Sequence, residues 1–411
     1  GDWNSPLQRS VVTKSNRSAA SGFNDDESSE VIMLPNWIQS YKIWHKRQRR
    51  RYDREGATDV NFLVVACLKR AKCGGLSDRV RSIPYWLVLA EKTDRVLLIH
   101  WTKKYKLEDF WIPPSTNEAL DWRLLDEWTT QLPFLDSCIH KPAKVMPEFH
   151  DESNHQDIMN ALRSTAPSER VVCVKTRSDL TPLVYDSFHA TAATNTTEIV
   201  HQQMLVVSKV YDFMFTPTEP LQDYINQIKK EQIGLNPNEP YLAAHIRALY
   251  PLKAESGNLV WPSWQEHSEI IKRWAETAVE RVIDAYNNSS DHGTNHNNIV
   301  ASQMPPIYVY VASDCADVVE YILSISDDAS RWPTNARVVG LQKSLPRHHL
   351  DLDTANNSAY DMFPLFFDIS MLSHAKCLSF GIGSYGRFGA RLSGLSCITQ
   401  HRKSQYLDDN L

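Results

Sequence analysis

One arginine stands where a phosphate could be bound. The short apolar run Tyr241–Ile246 predicts a buried strand, and Arg247 follows it directly. A guanidinium at a strand end can donate two parallel hydrogen bonds to a phosphate. His245 lies two residues earlier, on the same face of the strand, where one ring nitrogen could bond a base or a ribose. The other interpretation is a buried histidine and a surface arginine in an ion pair.

An aspartate follows the next apolar strand. The run Ile307–Ala312 predicts that strand, and Ser313 and Asp314 come directly after it. A carboxylate at this position is typical of a residue that caps the following helix. Asp314 could cap that helix, orient Arg247 or do both.

A glycine-rich turn follows a third strand. The segment Gly381–Arg387 (GIGSYGR) comes after the strand predicted at Lys376–Phe380 and opens a helix. Backbone N–H groups at such a helix start, from Gly383 through Tyr385, form an anion site to which Ser384 adds a hydroxyl. The segment matches the dinucleotide fingerprint, but only 25 residues follow Gly386, too few for the rest of that unit. The turn therefore predicts a diphosphate site rather than an NAD site.

Two further carboxylates are candidates for substrate contacts. Asp368 interrupts an apolar helix, where it could accept hydrogen bonds from a guanine edge or point to solvent. Near the N-terminus, Gly74 and Gly75 would let the backbone approach a ligand closely. Asp78 would sit in the first turn of the helix that follows. It could be a catalytic base, a contact for the acceptor sugar or a partner of the helix dipole.

The elements that carry these residues predict an α/β protein with two Rossmann-like lobes that face a cleft. A strand at Phe62–Ala66, a helix at Leu76–Lys92 and a strand at Arg95–Trp101 form a parallel unit near the N-terminus. Strands and helices alternate again from Tyr241 onward. We expect a disordered or helical stem over 1–58, an acceptor-side lobe over 59–235 and a nucleotide-sugar lobe over 236–411. Ligands of such sheets bind beyond the carboxyl ends of the strands.

These sites, in this order, resemble the α1,6-/O-fucosyltransferase superfamily, whose members are inverting GT-B enzymes that use GDP-fucose. The resemblance covers about 61–100 and 241–395 and rests on four motifs, namely Gly74-Gly75-Leu76-Ser77-Asp78-Arg79, His245-Ile246-Arg247, Ala312-Ser313-Asp314 and Asp368-Ile369-x-x-Leu372-Ser373-x-Ala375 with Ser384 beyond it. The α1,6 enzymes continue with a second arginine where this chain has Ala248. The first loop carries Ser77-Asp78 where O-fucosyltransferases often have Gly-Asn.

The resemblance implies a role for each site. Arg247 would bind the β-phosphate and stabilise the leaving GDP, with Asp314 fixing Arg247. His245 and Asp368 would hold guanine. The Gly383-Ser384-Tyr385 turn would hold the diphosphate, with the Gly74-Gly75 loop facing it. Asp78 is the candidate base for the acceptor hydroxyl.

The implied reaction uses GDP-fucose as donor substrate and needs no further cofactor. Arg247 and the N–H groups of the turn could neutralise the leaving diphosphate without a metal ion. The acceptor would be a glycan or a protein hydroxyl. The alternatives are a GT-B transferase that uses another nucleotide sugar and a non-catalytic glycan-binding protein on the same fold.

Charge and composition agree with a globular enzyme that does not bind nucleic acid. The net charge is -5, without the basic surplus that nucleic-acid binding needs. A basic run at Lys46–Arg51 is typical of a solvated helix face, and a membrane surface or a polyanion is the other interpretation. No apolar run approaches the roughly 18–20 residues that span a bilayer.

Glycosylation signals predict the secretory pathway, in the Golgi or the ER lumen. Five Asn-x-Ser/Thr sequons begin at Asn16, Asn195, Asn287, Asn288 and Asn356. Because the chain starts with Gly1, we expect that an N-terminal signal or type II membrane anchor precedes it. Cys67 and Cys73 could form a bridge across a loop, whereas the apolar surroundings of Cys315 and Cys377 predict core residues.

Overall fold

The structure is a computed structural model of the 411-residue chain. It describes residues 34–68, 73–116, 119–125, 127–128, 155–163, 170–174, 180–188, 196–236, 238–249, 252–253, 259–260, 264–289, 306–326, 328, 331–333, 335–342, 358–394 and 397–402. Residues 1–33 of the stem predicted over 1–58 lie outside the described residues.

Helices and parallel strands alternate along most of the chain. The helices are α1 (Asn36–Glu55), α2 (Leu76–Val80), α3 (Ile83–Lys92), α4 (His155–Leu162), α5 (Thr196–Met214), α6 (Glu219–Glu231), α7 (Trp264–Asn288), α8 (Ala316–Ser324), α9 (Phe363–Ser373) and α10 (Ser384–Ser393). The strands are β1 (Phe62–Cys67), β2 (Val96–Trp101), β3 (Trp111–Ile112), β4 (Val171–Val174), β5 (Thr216–Pro217), β6 (Tyr241–Ile246), β7 (Leu252–Lys253), β8 (Leu259–Val260), β9 (Ile307–Ser313), β10 (Ala336–Gly340), β11 (Leu378–Phe380) and β12 (Ile398–Gln400). Short 3-10 helices lie at Leu107–Asp109, Thr181–Phe188 and Ala359–Met362.

The first sheet is parallel and has three strands in the order β2-β1-β4. Strand β1 is buried along its whole length, as its continuous apolar sequence predicts for a strand covered on both faces. Helix α1 packs beside β2, where Tyr41 donates to the carbonyl of Arg95 at 2.7 Å and His45 bonds the carbonyl of Leu97 at 3.0 Å. The predicted stem therefore contributes a helix to the N-terminal lobe, by which we mean the first sheet and the elements packed on it.

The second sheet is parallel and has five strands in the order β10-β9-β6-β11-β12. Alternate residues of the central strand β6 face opposite sides, and Leu242, Ala244 and Ile246 join a core cluster with α7. Residues of the other face meet α9 and α10, since Tyr241 donates to the carbonyl of Met371 at 2.9 Å. This sheet and the elements packed on it form the C-terminal lobe.

The two lobes meet along α9 and α10. Phe366 of α9 stacks on Phe110 with ring centroids 4.1 Å apart. Tyr211 of α5 lies edge-on to Phe388 of α10 at 5.4 Å, and the hydroxyl of Ser208 donates to the carbonyl of Leu392. Helix α10, which begins at the predicted anion site, is thus packed against elements that precede the second sheet.

Most of the predicted elements are confirmed, and the exceptions have physical causes. The predicted α/β class with two lobes is confirmed. The prediction of a single helix at Leu76–Lys92 is wrong, because the helix is interrupted between Val80, the last residue of α2, and Ile83, the first residue of α3. Pro84 has no N–H to donate to the carbonyl of Val80, and that carbonyl instead accepts from Tyr211 at 3.1 Å.

The cysteines follow one prediction and depart from another. Cys67 and Cys73 form the expected disulfide. Cys377 is not a plain core residue, because it forms a disulfide with Cys397 that joins the starts of β11 and β12. Cys315 is a buried free cysteine, as expected. In the described part of the chain no helix is both long and apolar enough to cross a membrane.

Candidate active site

The carboxyl ends of three neighbouring strands bring the predicted residues together. Strands β6, β9 and β11 run parallel, with Ile246 opposite Ser313 and His245 opposite Phe380. Arg247, Asp314 and Gly381 are the next residues after these strands. Adjacent parallel strands end at one edge of the sheet, so the sequence signals at Arg247, Asp314 and the glycine turn belong to one place.

Arg247 is held by a carboxylate that is itself fixed. Its Nη1 lies 2.7 Å from Oδ2 of Asp314. Asp314 also accepts from the backbone N–H of Ala248 at 2.8 Å and from that of Leu249 at 3.2 Å. The aspartate therefore ties down both the guanidinium and the turn that carries it, as the orienting role predicts.

The predicted helix-capping role of Asp314 is wrong. The cap residue of α8 is Cys315, whose side chain makes no capping hydrogen bond. The N–H of Cys315 bonds the hydroxyl of Ser313 at 3.2 Å instead. The carboxylate of Asp314, which follows β9, instead bonds the turn after β6. It thereby links the ends of these two neighbouring strands.

The glycine turn lies against the arginine. Gly383 has φ of 93°, in the left-handed region that favours glycine, and it immediately precedes α10. A β-carbon built on Gly383 would lie 3.7 Å from Cγ of Arg247, so the stem of the arginine packs on this turn. The start of α10 has no side-chain cap, and its N–H groups and dipole favour an anion beside Arg247.

His245 lies beneath the first turn of α10. It is buried at 4 % exposure, and a β-carbon on Gly386 would lie only 2.6 Å from its Nδ1. That Nδ1 has no hydrogen-bond partner among the described residues. Burial, together with the charges of Arg247 and His401, lowers the pKa of His245 to about 3, so the ring is neutral.

Tyr385 covers His245 on the side of the helix. The two rings are 5.3 Å apart, and the tyrosine hydroxyl donates to the carbonyl of Leu365. His245 therefore packs beneath the first turn of α10 and against Tyr385 in this structure. The predicted contact of His245 with guanine stays a prediction.

Ser384 joins the two lobes. Its hydroxyl lies 2.8 Å from that of Ser77 and donates to Oδ1 of Asp78 at 3.1 Å. Both partners come from the loop that the sequence singled out near the N-terminus. The structure thus brings the Gly74–Asp78 loop against the helix start that follows β11, which no local sequence pattern places there.

Asp78 has three partners. Oδ2 accepts from the N–H of Gly75 at 3.1 Å, which is the helix-end contact predicted as one alternative. Oδ1 forms an ion pair with Nη2 of Arg81 at 3.2 Å, and it accepts from Ser384. Gly74 has φ of 74°, and a β-carbon there would collide with the Asp78 carboxylate at 2.4 Å. The loop is shaped around this aspartate.

Asp368 is buried at 8 % exposure, so the alternative that it points to solvent is wrong. It lies on α9 and accepts a short hydrogen bond from the hydroxyl of Tyr310, a fully buried residue of β9. Tyr310 fixes the direction of the carboxylate, which is a requirement for recognising the edge of a base.

Several residues around the site were missed at the level of sequence. Arg81 and Tyr310 hold the two carboxylates just described. Behind the turn, Nη1 of Arg402 donates to the carbonyl of Arg247 at 3.3 Å, and Nδ1 of His401 bonds the hydroxyl of Ser379 at 2.8 Å. Burial and the charge of Arg402 lower the pKa of His401 to about 4. Nothing in the polar C-terminal segment signalled that it packs behind the strand ends.

Within the ranges that the structure describes, no group of three or more histidine, cysteine, aspartate or glutamate side chains is arranged to hold a metal ion. One Asp-x-Asp triplet, Asp351-Leu352-Asp353, lies outside those ranges.

Comparison with solved structures identifies the architecture. A mutant of FUT1 from Arabidopsis thaliana, in complex with GDP, superposes with a TM-score of 0.51 at 13% identity, over 94% of this chain and 86% of that one. This chain shares the fold of FUT1. NodZ alpha-1,6-fucosyltransferase, soaked with GDP-fucose, gives a TM-score of 0.43 at 13% identity, over 81% of this chain and 92% of its own. No protein-family model and no curated protein sequence matches the chain.

The shared fold agrees with the two-lobed GT-B arrangement expected from the sequence motifs. In this fold the residues described above occupy the carboxyl ends of the second sheet and the loop of the first lobe that faces them. Whether they bind a nucleotide sugar is a question of chemistry rather than of fold.

Proposed function

We propose that the protein is a glycosyltransferase that moves fucose from GDP-fucose to a hydroxyl of a glycan or protein acceptor. The observation that carries the proposal is the Arg247–Asp314 ion pair beside the uncapped start of α10. A fixed guanidinium and a helix start side by side form a site for a doubly charged diphosphate. FUT1, on the same fold, is known in complex with GDP.

The chemistry of sugar transfer explains why this arrangement would accelerate it. The bond from C1 of the sugar to the β-phosphate oxygen breaks, and its electron pair leaves with GDP. Donors already aimed at that oxygen stabilise the growing negative charge, which is usually the largest catalytic effect of such a site. We propose that Arg247, Ser384 and the N–H groups from Gly383 to Tyr385 do this without a metal ion.

The acceptor hydroxyl would form the new bond to C1 from the face opposite the diphosphate, with inversion. Its proton must pass to a base, and Asp78 is the carboxylate that the sequence predicts for this role. In the structure that carboxylate already bonds Arg81 and Ser384. Inversion and the identity of the base rest on the family resemblance.

Asp368 is the proposed contact for guanine. A carboxylate accepts well from the N1–H and N2–H₂ groups of that base, which uracil lacks. Tyr310 holds the carboxylate of Asp368 in one orientation, and both residues are buried. A preference for GDP over UDP would follow.

We also propose that the protein works in the lumen of the secretory pathway. The disulfides Cys67–Cys73 and Cys377–Cys397, which lie in the described part of the chain, are typical of an oxidising compartment. The sequons at Asn287 and Asn288 lie at the exposed end of α7, where a glycan could be attached.

The test is a calorimetric titration with GDP, UDP and ADP, each with and without EDTA. We expect GDP alone to bind tightly, with the same affinity in EDTA, and we expect Arg247→Ala to abolish the binding. A preference for UDP would favour a transferase with another nucleotide sugar. Binding of no nucleotide would contradict the proposal and favour a non-catalytic glycan-binding protein.

A further inference from the structure

A second arginine–aspartate pair faces the start of α10 from the N-terminal lobe. Asp78 and Arg81 form it, with Oδ1 and Nη2 3.2 Å apart and side chains only 27% and 20% exposed. The same Oδ1 accepts from Ser384, the first residue of α10. The pair is therefore joined to the helix start against which the side chain of Arg247 packs.

The position of Asp78 is one that suits an anion. The positive end of a helix dipole and the hydroxyl of its first residue attract negative charge. In this structure the Ser384 hydroxyl bonds Ser77 and Asp78, both from the N-terminal lobe. The carboxylate of Asp78 therefore occupies this position. A donor phosphate bound by Arg247 and Ser384 would meet this carboxylate, and two negative groups cannot share one hydroxyl without cost.

Arg81 has donor capacity beyond its ion pair. Its Nε is buried and has no hydrogen-bond partner among the described residues. Its backbone is held firmly, since the carbonyl accepts from Thr181 at 2.8 Å and from Tyr211 at 3.0 Å. A guanidinium on a fixed backbone, whose Nη2 is paired with an exchangeable carboxylate and whose Nε–H is unused, can donate to a phosphate in place of that carboxylate.

We propose that Asp78 competes with the donor's diphosphate for Ser384 and Arg81, and that Arg81 is the phosphate ligand contributed by the N-terminal lobe. The inference rests on the proposed function, because it needs a diphosphate at the start of α10. It assigns Asp78 a part in donor binding in place of the base role predicted from sequence. Phosphate binding would then draw both lobes together through Arg81 and Arg247.

The test compares GDP with guanosine, which has no phosphate, by calorimetry on three variants. Asp78→Asn keeps an oxygen for the Gly75 N–H but removes the competing charge, so GDP should bind about tenfold more tightly. Arg81→Gln should bind GDP about tenfold more weakly. Arg81→Lys should recover part of that loss. Guanosine affinity should stay unchanged in all three.

Matched control variants show whether an effect on GDP binding comes from a charge at the site or from any change in the protein's net charge. Arg337→Gln removes an exposed arginine of β10, and Asp212→Asn removes the partner of Lys209 on α5. Both should leave GDP binding unchanged. Thermal unfolding of each variant establishes that it is folded.

Three results would overturn the inference. The first is that Asp78→Asn binds GDP no more tightly than the parent does. The second is that Arg81→Gln loses affinity for GDP and for guanosine equally. The third is that Arg81→Gln binds GDP as tightly as the parent does. A fall in turnover with unchanged GDP affinity in Asp78→Asn would restore the base role instead. If the parent protein prefers UDP, the donor assignment fails but the same comparison with UDP and uridine still tests Arg81.

Discussion

Two arginine–aspartate pairs flank the start of α10, and they are held in different ways. In the C-terminal lobe, Asp314 bonds Arg247 and the backbone of the turn behind it, so all its contacts lie within one lobe. In the N-terminal lobe, Asp78 bonds Arg81 but also reaches across to Ser384. The first aspartate is part of the scaffold, whereas the second holds a contact that a ligand can replace.

The proposed donor site would combine a rigid ion pair, Arg247–Asp314, with an exchangeable contact, Asp78–Ser384. A guanidinium that must meet a phosphate in one geometry gains from an aspartate that other groups already fix, because little reorganisation is left for the binding step. A contact between lobes must be able to break when a substrate enters. The predictions below test this division, from the largest expected effect to the smallest.

The largest effect is expected at Arg247. Arg247→Ala removes the donor nearest the leaving diphosphate and leaves Asp314 without its ion-pair partner. We expect the rate of fucose transfer to fall roughly 10²–10³-fold. Steady-state transfer assays with the parent, Arg247→Ala and Arg337→Gln would measure this. Parental activity in Arg247→Ala would show that the fixed pair is not the diphosphate site.

The disulfides behind the two pairs should differ in their contribution to stability. Cys377–Cys397 spans 20 residues and Cys67–Cys73 spans 6. Replacing both cysteines of a pair by serine should lower the free energy of unfolding by about 3 kcal/mol for the longer loop and about 2 kcal/mol for the shorter. Urea unfolding of the two double variants gives the values. A larger loss from the shorter loop would mean that the Gly74–Asp78 segment is the more strongly braced one.

Acid should weaken the C-terminal lobe through its buried histidines. The folded-state pKa values of His245 and His401 are about 3 and about 4, below the unfolded value of about 6.5. The unfolded chain therefore binds more protons than the folded one between these values. The stability from each neutral ring is present above pH 6.5 and is lost as pH falls below it.

For His245 this loss amounts to about 2 kcal/mol between pH 7 and pH 5. Urea unfolding at the two pH values measures it, and His245→Asn should show a pH dependence smaller by about that amount. An unchanged dependence in the variant would mean that folding does not lower the pKa of His245. His45, whose pKa burial also lowers to about 3, offers the matched position in the N-terminal lobe.

The smallest expected effects are changes of GDP affinity in opposite directions, in Asp314→Asn and in Asp78→Asn. Asp314→Asn keeps an acceptor for the turn but loosens Arg247, so GDP should bind about tenfold more weakly. Asp78→Asn should change the affinity by a similar factor in the other direction. Calorimetry on both variants in one buffer would show the contrast. A shift of the same sign in both would remove the distinction between the fixed and the exchangeable pair.

The C-terminal half of the site could be predicted well from sequence. Parallel strands appear as short apolar runs, and the residue after each run lies at the ligand-binding edge. Arg247 directly follows its run, whereas Asp314 and Gly383 lie two and three residues beyond theirs. The helix start after the glycine turn was predicted as well, and in the structure α10 begins at Ser384.

The contacts between the lobes could not be predicted. Ser77 and Ser384 are 307 residues apart, and Asp78 meets Ser384 only because α10 packs against α2. No local period or spacing encodes such a pairing. The break after Val80 was within reach, since Pro84 cannot continue the helix hydrogen bonds, but its use by Tyr211 depends on the same packing.

A crystal structure of the protein with GDP tests the central claim most directly. The account predicts the β-phosphate within about 3 Å of the Arg247 guanidinium and of the Ser384 hydroxyl. It also predicts that Arg247 still contacts Asp314 while Asp78 has left Ser384. GDP bound away from the start of α10, or bound there with the Asp78–Ser384 contact intact, would contradict it.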